Sequence, residues 1–291
     1  MSEKMLMKGN EALAEAAIQA GCRLFFGYPI TPQTEISAYM SKRMPKVGGL
    51  YLQAESEIAA INMVYGAAST GARAMTSSSS PGVSLKAEGI SYIAGSDVPA
   101  VIVNVQRGGP GLGGIQPAQS DYFQVTHAMG HGDFRAIVLA PSTVQEMASF
   151  MSMAFDMADQ YRMPAMILAD GILGQMMEPV SFDEVPHRKL PEKDWAANGH
   201  EGKREKRIVN SLYLSPDELE QKNFERFERY KGIMETEQMA EEFMMDDADV
   251  VVVAYGAAAR VAKNAIRAAR AKGLKAGLVR PITLWPFPRR R

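Results

Sequence analysis

Two glutamates, Glu55 and Glu57, stand where a strand-like segment gives way to a helix-like one in Gln53-Ala54-Glu55-Ser56-Glu57. Two residues apart on a helix they diverge by about 200°, so they are not an acid–base pair, and at most one can face a cleft. Without further context both serve as acids that complement the dipole at a helix N-terminus. Three other apolar runs end in chemistry-bearing residues: Tyr28-Pro29-Ile30-Thr31-Pro32, Ser77 to Gly82, and Gln106-Arg107-Gly108-Gly109. Parallel α/β sheets bind ligands at the carboxyl ends of their strands, which makes these four segments candidates for one site.

The stretch Gly109-Pro110-Gly111-Leu112-Gly113-Gly114 satisfies G-x-G-x-x-G. A dinucleotide fingerprint needs glycines that open a helix directly, with its N-terminus on the pyrophosphate. Pro110 and Pro117 delay any helix here, and the preceding strand is about the fourth of the sheet. An adaptable active-site loop is the reading preferred over a nicotinamide site. His127 and His131 are four apart, but Gly130 and Gly132 interrupt a helix and no carboxylate or cysteine completes a ligand set. No metal site is expected. The group Met147, Met151, Met153 and Met157 falls within one helix and reads as flexible core filling.

The elements that position these residues alternate over the first 180 residues. Helical spacing covers 10–20, 56–69, about 82–94, about 118–129 and 143–160; strand-like runs cover 24–30, 48–53, 72–78, 98–106, 135–140 and 164–169. The run 98–106 is nearly all apolar, as a strand covered on both faces would be. The pattern predicts an α/β fold with a roughly six-stranded parallel sheet and helices on both faces. Residues 181–245 are charged, include Lys203-Arg204-Glu205-Lys206-Arg207, and read as a linker or arm with an acidic helix in 215–245. From 246 to 291 the α/β pattern returns as strand, helix and strand. So small a unit is the start of a second domain, expected to be incomplete.

Bulk properties narrow the class. A net charge of −1 gives no footprint for nucleic acid or an anionic membrane. One cysteine, Cys22, cannot form an internal disulfide or hold an iron–sulfur cluster, which usually takes four thiolates. No secretory signal and no membrane span are expected, so a cytoplasmic enzyme or subunit fits.

Taken together, YPITP at 28–32, QAESEIAA at 53–60, VNVQRGGPGLGGIQPAQSDYFQ at 103–124, DGILGQMMEP at 170–179 and VRPITLWPFP at 279–288 are specific motifs. They resemble α subunits of 2-oxoacid:ferredoxin oxidoreductases over essentially the whole chain. The loop 108–124 is most similar to the branched-chain type, which acts on 3-methyl-2-oxobutanoate; the 2-oxoglutarate type is a close relative, and the same chemistry on 2-oxoglutarate or pyruvate is the alternative. Family members continue well past the PFP motif, whereas this sequence reads Arg289-Arg290-Arg291 after it, hence the expectation of an incomplete second domain.

The resemblance implies a thiamine-diphosphate-binding fold of the pyrimidine type, in residues 1–180. It implies that Glu57 meets N1′ of the aminopyrimidine, where a short hydrogen bond favours the imino tautomer that removes the thiazolium C2 proton. It places Thr31 beside the substrate and Arg107 on the substrate carboxylate, for which a bidentate guanidinium is suited. Pro29, Ile30, Ser79 and Gly82 are expected to line the cofactor pocket. The diphosphate and its Mg²⁺ are expected on a β subunit, and the iron–sulfur clusters on a cysteine-rich ferredoxin-type subunit. The implied reaction is oxidative decarboxylation of a 2-oxo acid with coenzyme A, giving acyl-CoA, carbon dioxide and electrons for ferredoxin. The rival classes are a nicotinamide-dependent dehydrogenase, which NAD titration would reveal, and a non-catalytic assembly subunit.

Overall fold

The computed structural model describes residues 4–182 and 188–289. Part of the 181–245 arm, at 183–187, and Arg290 and Arg291 lie outside the described residues.

The first 180 residues run β1 (Met5–Lys8), α1 (Gly9–Gln19), β2 (Leu24–Gly27), α2 (Thr34–Arg43), a 3-10 turn at Met44–Val47, β3 (Leu50–Gln53) and α3 (Glu57–Ser69). They continue as β4 (Ala74–Ser78), α4 (Ser80–Gly95), β5 (Ala100–Gln106), α5 (Tyr122–Thr126), β6 (Ile137–Leu139), α6 (Val144–Tyr161), β7 (Pro164–Asp170), α7 (Gly171–Gln175) and β8 (Met177–Val180). The remainder is α8 (Pro216–Thr236), β9 (Ala240–Phe243), β10 (Val250–Val253), α9 (Gly256–Arg270), β11 (Ala276–Pro281) and β12 (Thr283–Trp285).

The main sheet has the order β12-β6-β7-β5-β4-β2-β3. Its six strands β2 to β7 are parallel, as the sequence pattern predicts. β5 and β7 are buried along their whole length, which is why their sequences show no polar alternation. The chain steps from β2 outward to β3, then back across β2 to β4 and on to β5. Right-handed crossovers must therefore put α2 on one face and α3 and α4 on the other. The reversal falls between the carboxyl ends of β2 and β4, and such switch points are where parallel sheets take ligands.

Several local features depart from the sequence reading. The helix expected near 118–129 is only Tyr122–Thr126, because the loop ahead of it is held by other bonds described below. β1 and β8, too short to show a period, pair antiparallel beside α1. The arm is not a free linker where α8 runs. Arg226 and Arg229 pair with Asp97, Arg226 Nη2 donates to the Gly95 carbonyl at 3.1 Å, and Tyr230 stacks edge-on against Trp285.

The later strands form a sheet of order β10-β11-β9, to which the arm contributes β9. β12 leaves that unit and pairs antiparallel with β6, becoming the seventh strand of the main sheet. Arg280, 1% exposed, ties the two parts together through Glu146 Oε1 at 2.7 Å and Glu241 Oε2 at 3.0 Å. Among the described residues no helix is long and apolar enough to cross a membrane.

Candidate active site at the carboxyl ends of four strands

The four segments singled out in the sequence lie at the carboxyl ends of β5, β4, β2 and β3, which are neighbours in the sheet. Ser56 caps α3, its hydroxyl accepting from Ala59 N at 3.1 Å, and this starts the helix with Glu57 in its first turn. Glu57 is buried, 7% exposed, while Glu55 is exposed, so the two carboxylates have separate environments. Among the described residues no group donates to the Glu57 carboxylate.

Opposite Glu57 stands the start of α4. A Cβ on Gly82 would lie 2.8 Å from Glu57 Oε1 and 2.2 Å from Ser78 Oγ. Only a residue without a side chain allows this approach. At the same strand end the buried hydroxyls of Thr76, Ser78 and Ser79 have no hydrogen-bond partner among the described residues. Ser77, by contrast, donates to Gln33 Oε1 at 2.6 Å, and Gln33 Nε2 donates to the Tyr28 carbonyl at 3.1 Å. This buried glutamine joins the end of β4 to the loop carrying Pro29, Ile30 and Thr31. In that loop Pro29 and Thr31 are exposed and Ile30 is half-buried, at the carboxyl end of β2.

Arg107 is 6% exposed. Its Nη1 donates to the Thr31 carbonyl at 3.0 Å and its Nη2 to the Leu112 carbonyl at 2.9 Å. The guanidinium thus brings Thr31, Arg107 and the glycine loop together. Its Nε is buried and has no acceptor among the described residues, which leaves donor capacity for a carboxylate.

The glycine loop does not open a helix. Gly108 N bonds Gln116 O and Gly114 N bonds Gly108 O, while Arg107 and Pro117 form an antiparallel bridge. The loop therefore folds back on itself, with Gly111 and Gly113 at positive φ. Leu112 and Ile115 stand 80% and 61% exposed on it.

Sequence reasoning missed the clamp that fixes this loop. Ser80 Oγ donates to Asp121 Oδ2 at 2.6 Å and accepts from Arg107 N at 3.0 Å. Asn104 Nδ2 donates to the same Asp121 oxygen at 2.9 Å, and Asn104 Oδ1 accepts from Ser80 N at 3.1 Å. Ser80 takes φ 20°, an unusual value for serine, inside this set of bonds. The available signal was Asn104, a polar residue inside the apolar run 100–105.

Asp170, at the end of β7, caps α7 by accepting from Ile172 N and Leu173 N at 2.9 and 3.1 Å; burial pushes its carboxyl up. The thiol of Cys22 is pushed up to about 12 by burial, which makes it a poor nucleophile. Among the described residues no three His, Cys, Asp or Glu side chains gather as a metal site.

The sequence pattern described as "Pyruvate flavodoxin/ferredoxin oxidoreductase, thiamine diP-bdg" matches residues 15–252. That described as "Pyruvate:ferredoxin oxidoreductase core domain II" matches residues 248–291. The ketoisovalerate oxidoreductase subunit VorB of Methanothermobacter marburgensis is 54% identical over 286 residues, 98% of this chain and 81% of that protein. The 2-oxoglutarate synthase subunit KorA of Methanocaldococcus jannaschii is 38% identical over 326 residues, 97% of this chain and 83% of that protein. Among solved structures, the 2-oxoglutarate:ferredoxin oxidoreductase from Magnetococcus marinus, with 2-oxoglutarate, coenzyme A and succinyl-CoA bound, superimposes with a TM-score of 0.88 at 31% identity. The match covers 99% of this chain and 55% of that one, so this chain spans about half the length of the solved relative. The chain belongs to the thiamine-diphosphate-binding pyruvate flavodoxin/ferredoxin oxidoreductase family, the 2-oxoacid:ferredoxin oxidoreductases.

Proposed function

We propose that this chain is the α-type subunit of an enzyme that oxidatively decarboxylates a branched-chain 2-oxo acid, 3-methyl-2-oxobutanoate (ketoisovalerate). Coenzyme A receives the acyl group and ferredoxin the electrons. The observation that carries the reaction class is the buried Glu57 carboxylate beside Gly82 and the hydroxyls of Ser78 and Ser79, which have no partner among the described residues. The choice of substrate is supported by the identity to the ketoisovalerate subunit, 54%, against 38% for the 2-oxoglutarate subunit.

These residues fit the aminopyrimidine half of thiamine diphosphate. Glycine at 82 lets the Glu57 carboxylate and the Ser78 hydroxyl pack against the start of α4, and the Ser78 and Ser79 hydroxyls, without a partner among the described residues, can hydrogen-bond a polar ring. When bound, the cofactor supplies the electron sink that makes loss of carbon dioxide from a 2-oxo acid feasible. Glu57 would hold the proton at N1′, Arg107 would grip the substrate carboxylate, and Thr31 would contact the substrate. Pro29, Ile30, Ser79 and Gly82 would form the walls. In this reading residues 1–180 are the pyrimidine-type domain, 181–245 the arm, and 246–291 the start of a second α/β unit whose β12 is shared with the first sheet.

The reading assigns the diphosphate and its Mg²⁺ to a β subunit, and the clusters to a cysteine-rich ferredoxin-type subunit. The isolated chain is therefore expected to show no oxidoreductase activity, and activity should appear when the partner subunits are added. The assay is 3-methyl-2-oxobutanoate-dependent ferredoxin reduction with coenzyme A and thiamine diphosphate. Turnover by the chain alone would overturn the proposal. Tight NAD binding would favour the dehydrogenase class instead.

Gly82→Ala tests the cofactor cleft. The added methyl must displace Ser78 or Glu57. The assembled complex should lose thiamine diphosphate affinity by about tenfold or more, the 1–3 kcal/mol typical of overpacking. Isothermal titration reads this directly, and unchanged affinity would show that cofactor binding does not depend on the placement of Glu57 and Ser78 that Gly82 permits.

A further inference from the structure

Lys86 occupies a place where the helix pattern calls for an apolar side chain. The inward face of α4 is Gly82, Val83, Lys86, Gly89, Ile90 and Ile93, all buried. Helices α3 and α4 approach most closely through the two glycines. A Cβ on Gly82 would meet Glu57, and one on Gly89 would lie 2.4 Å from Ile61 Cγ2. Lys86 lies between them on the same face. It is 0% exposed, and its ammonium donates to the main-chain carbonyl of Glu57 at 3.3 Å. An ammonium has three N–H groups and is expensive to bury, so a lysine placed here for packing alone would be a poor choice beside methionine or leucine.

The charged groups around it are few. Glu57, on α3, is the one whose charge acts on Lys86. On α4 itself Glu88 is exposed and accepts from Tyr92. At the helix start Asp121 is engaged by Ser80 and Asn104, and in the loop against α4 His131 Nδ1 meets Ser91 Oγ at 3.3 Å. The strands β4, β5 and β7 beneath α4 present no charged side chain within their buried spans apart from Asp170, at the end of β7, which caps α7.

We propose that Lys86 is a positioning residue for the carboxylate that activates the cofactor. It pins the first turn of α3 through the Glu57 carbonyl, and its positive charge interacts with the Glu57 carboxylate. The proposal rests on the reading of Glu57 as the group that meets N1′. Burial drives the Lys86 ammonium down to about 8, with the Glu57 charge opposing that fall, so Lys86 is still mostly cationic at neutral pH. The unfolded chain holds this proton up to the ordinary lysine value of 10.5. Between about 8 and 10.5 the unfolded state therefore binds more protons, and Lys86 contributes a rise of stability with pH in that window.

The experiment uses the assembled complex carrying Lys86→Met, which keeps the volume without the charge. Lys86→Gln serves as a second variant, keeping an N–H donor without the charge. Three readouts are taken: thermal unfolding against pH, the pH dependence of turnover, and the circular dichroism band of the imino tautomer against pH. Lys86→Met should unfold at or above the wild-type temperature at pH 7, and should lose the wild-type gain in stability between pH 8 and 10.5. The acid limb of turnover, and the midpoint of the imino band, should move up by about one pH unit, as expected on removing one nearby opposite charge. Turnover at neutral pH should fall about tenfold. Lys86→Gln should behave like Lys86→Met if the charge is what matters. Wild-type pH profiles and tautomer band in both variants would overturn the proposal and leave Lys86 as core filling. Glu57→Gln measured alongside separates the two readings: full activity there defeats the Glu57 assignment itself, whereas an inactive Glu57→Gln with an unperturbed Lys86→Met defeats only the inference about Lys86.

Discussion

Glu57→Gln in the assembled complex is expected to lower the decarboxylation rate by about 10²-fold or more, the usual size for a lost acid–base partner. The substitution keeps the shape of the side chain and its place in the first turn of α3, so folding should be unaffected. It removes the acceptor that can share a proton with N1′, leaving an amide that offers N–H or carbonyl but cannot exchange the proton. Glu55→Gln is the internal control. Glu55 is exposed on the strand side of Ser56, whereas Glu57 is buried against Gly82. Glu55→Gln should therefore change the rate by less than about threefold, as exposed substitutions generally do. The measurement is single-turnover carbon dioxide release with saturating thiamine diphosphate, with unfolding temperatures recorded for both variants. Equal effects of the two substitutions would mean that the cleft lies on the other face of the helix. A silent Glu57→Gln in an intact complex would instead favour the assembly-subunit class.

The buried strands were legible because β5 and β7 are nearly unbroken apolar runs, and the candidate site could be named because polar and charged residues cluster after such runs. Glu57 and Glu55 could not be told apart by spacing alone. The discriminating fact is the approach of Gly82, which is a contact between two helices distant in sequence. Lys86 escaped notice for a related reason: a lysine among Ser84, Leu85 and Glu88 looks solvent-facing until the glycines at 82 and 89 show which side of α4 is inward. The role of Arg107 in tying Thr31 to Leu112 runs through backbone carbonyls, which every residue possesses, so no side-chain pattern announces it. The same holds for β12. Three residues carry no period, and only the pairing with β6 reveals that Thr283–Trp285 belong to the first sheet. The resemblance of 279–288 to the family located that segment in the second unit by homology, while the hydrogen bonds place its end in the first.

Arg107→Lys is expected to weaken every 2-oxo acid to a similar degree. All such substrates share the carboxylate next to the oxo group, and selectivity among them should come from elsewhere, around Leu112 to Gln116. The guanidinium spends one N–H on Thr31 O and another on Leu112 O, and its buried Nε has no acceptor among the described residues. A lysine at this position has a single nitrogen that cannot serve both carbonyls and a carboxylate in the same fork. Losing one charge-assisted hydrogen bond costs about 1.5–3 kcal/mol, or roughly 10- to 150-fold in affinity. The glycine loop should also loosen, since Leu112 loses its anchor, and protease nicking at 109–115 reads that separately from substrate binding. The decisive comparison sets pyruvate, 3-methyl-2-oxobutanoate and 2-oxoglutarate against wild type and Arg107→Lys, reading kcat/KM for each. A uniform loss supports the shared carboxylate as the partner of Arg107. A loss confined to 2-oxoglutarate would assign Arg107 to a distal carboxylate, and would overturn the branched-chain preference with it, because a site built for an apolar side chain has no use for a buried cation at that end.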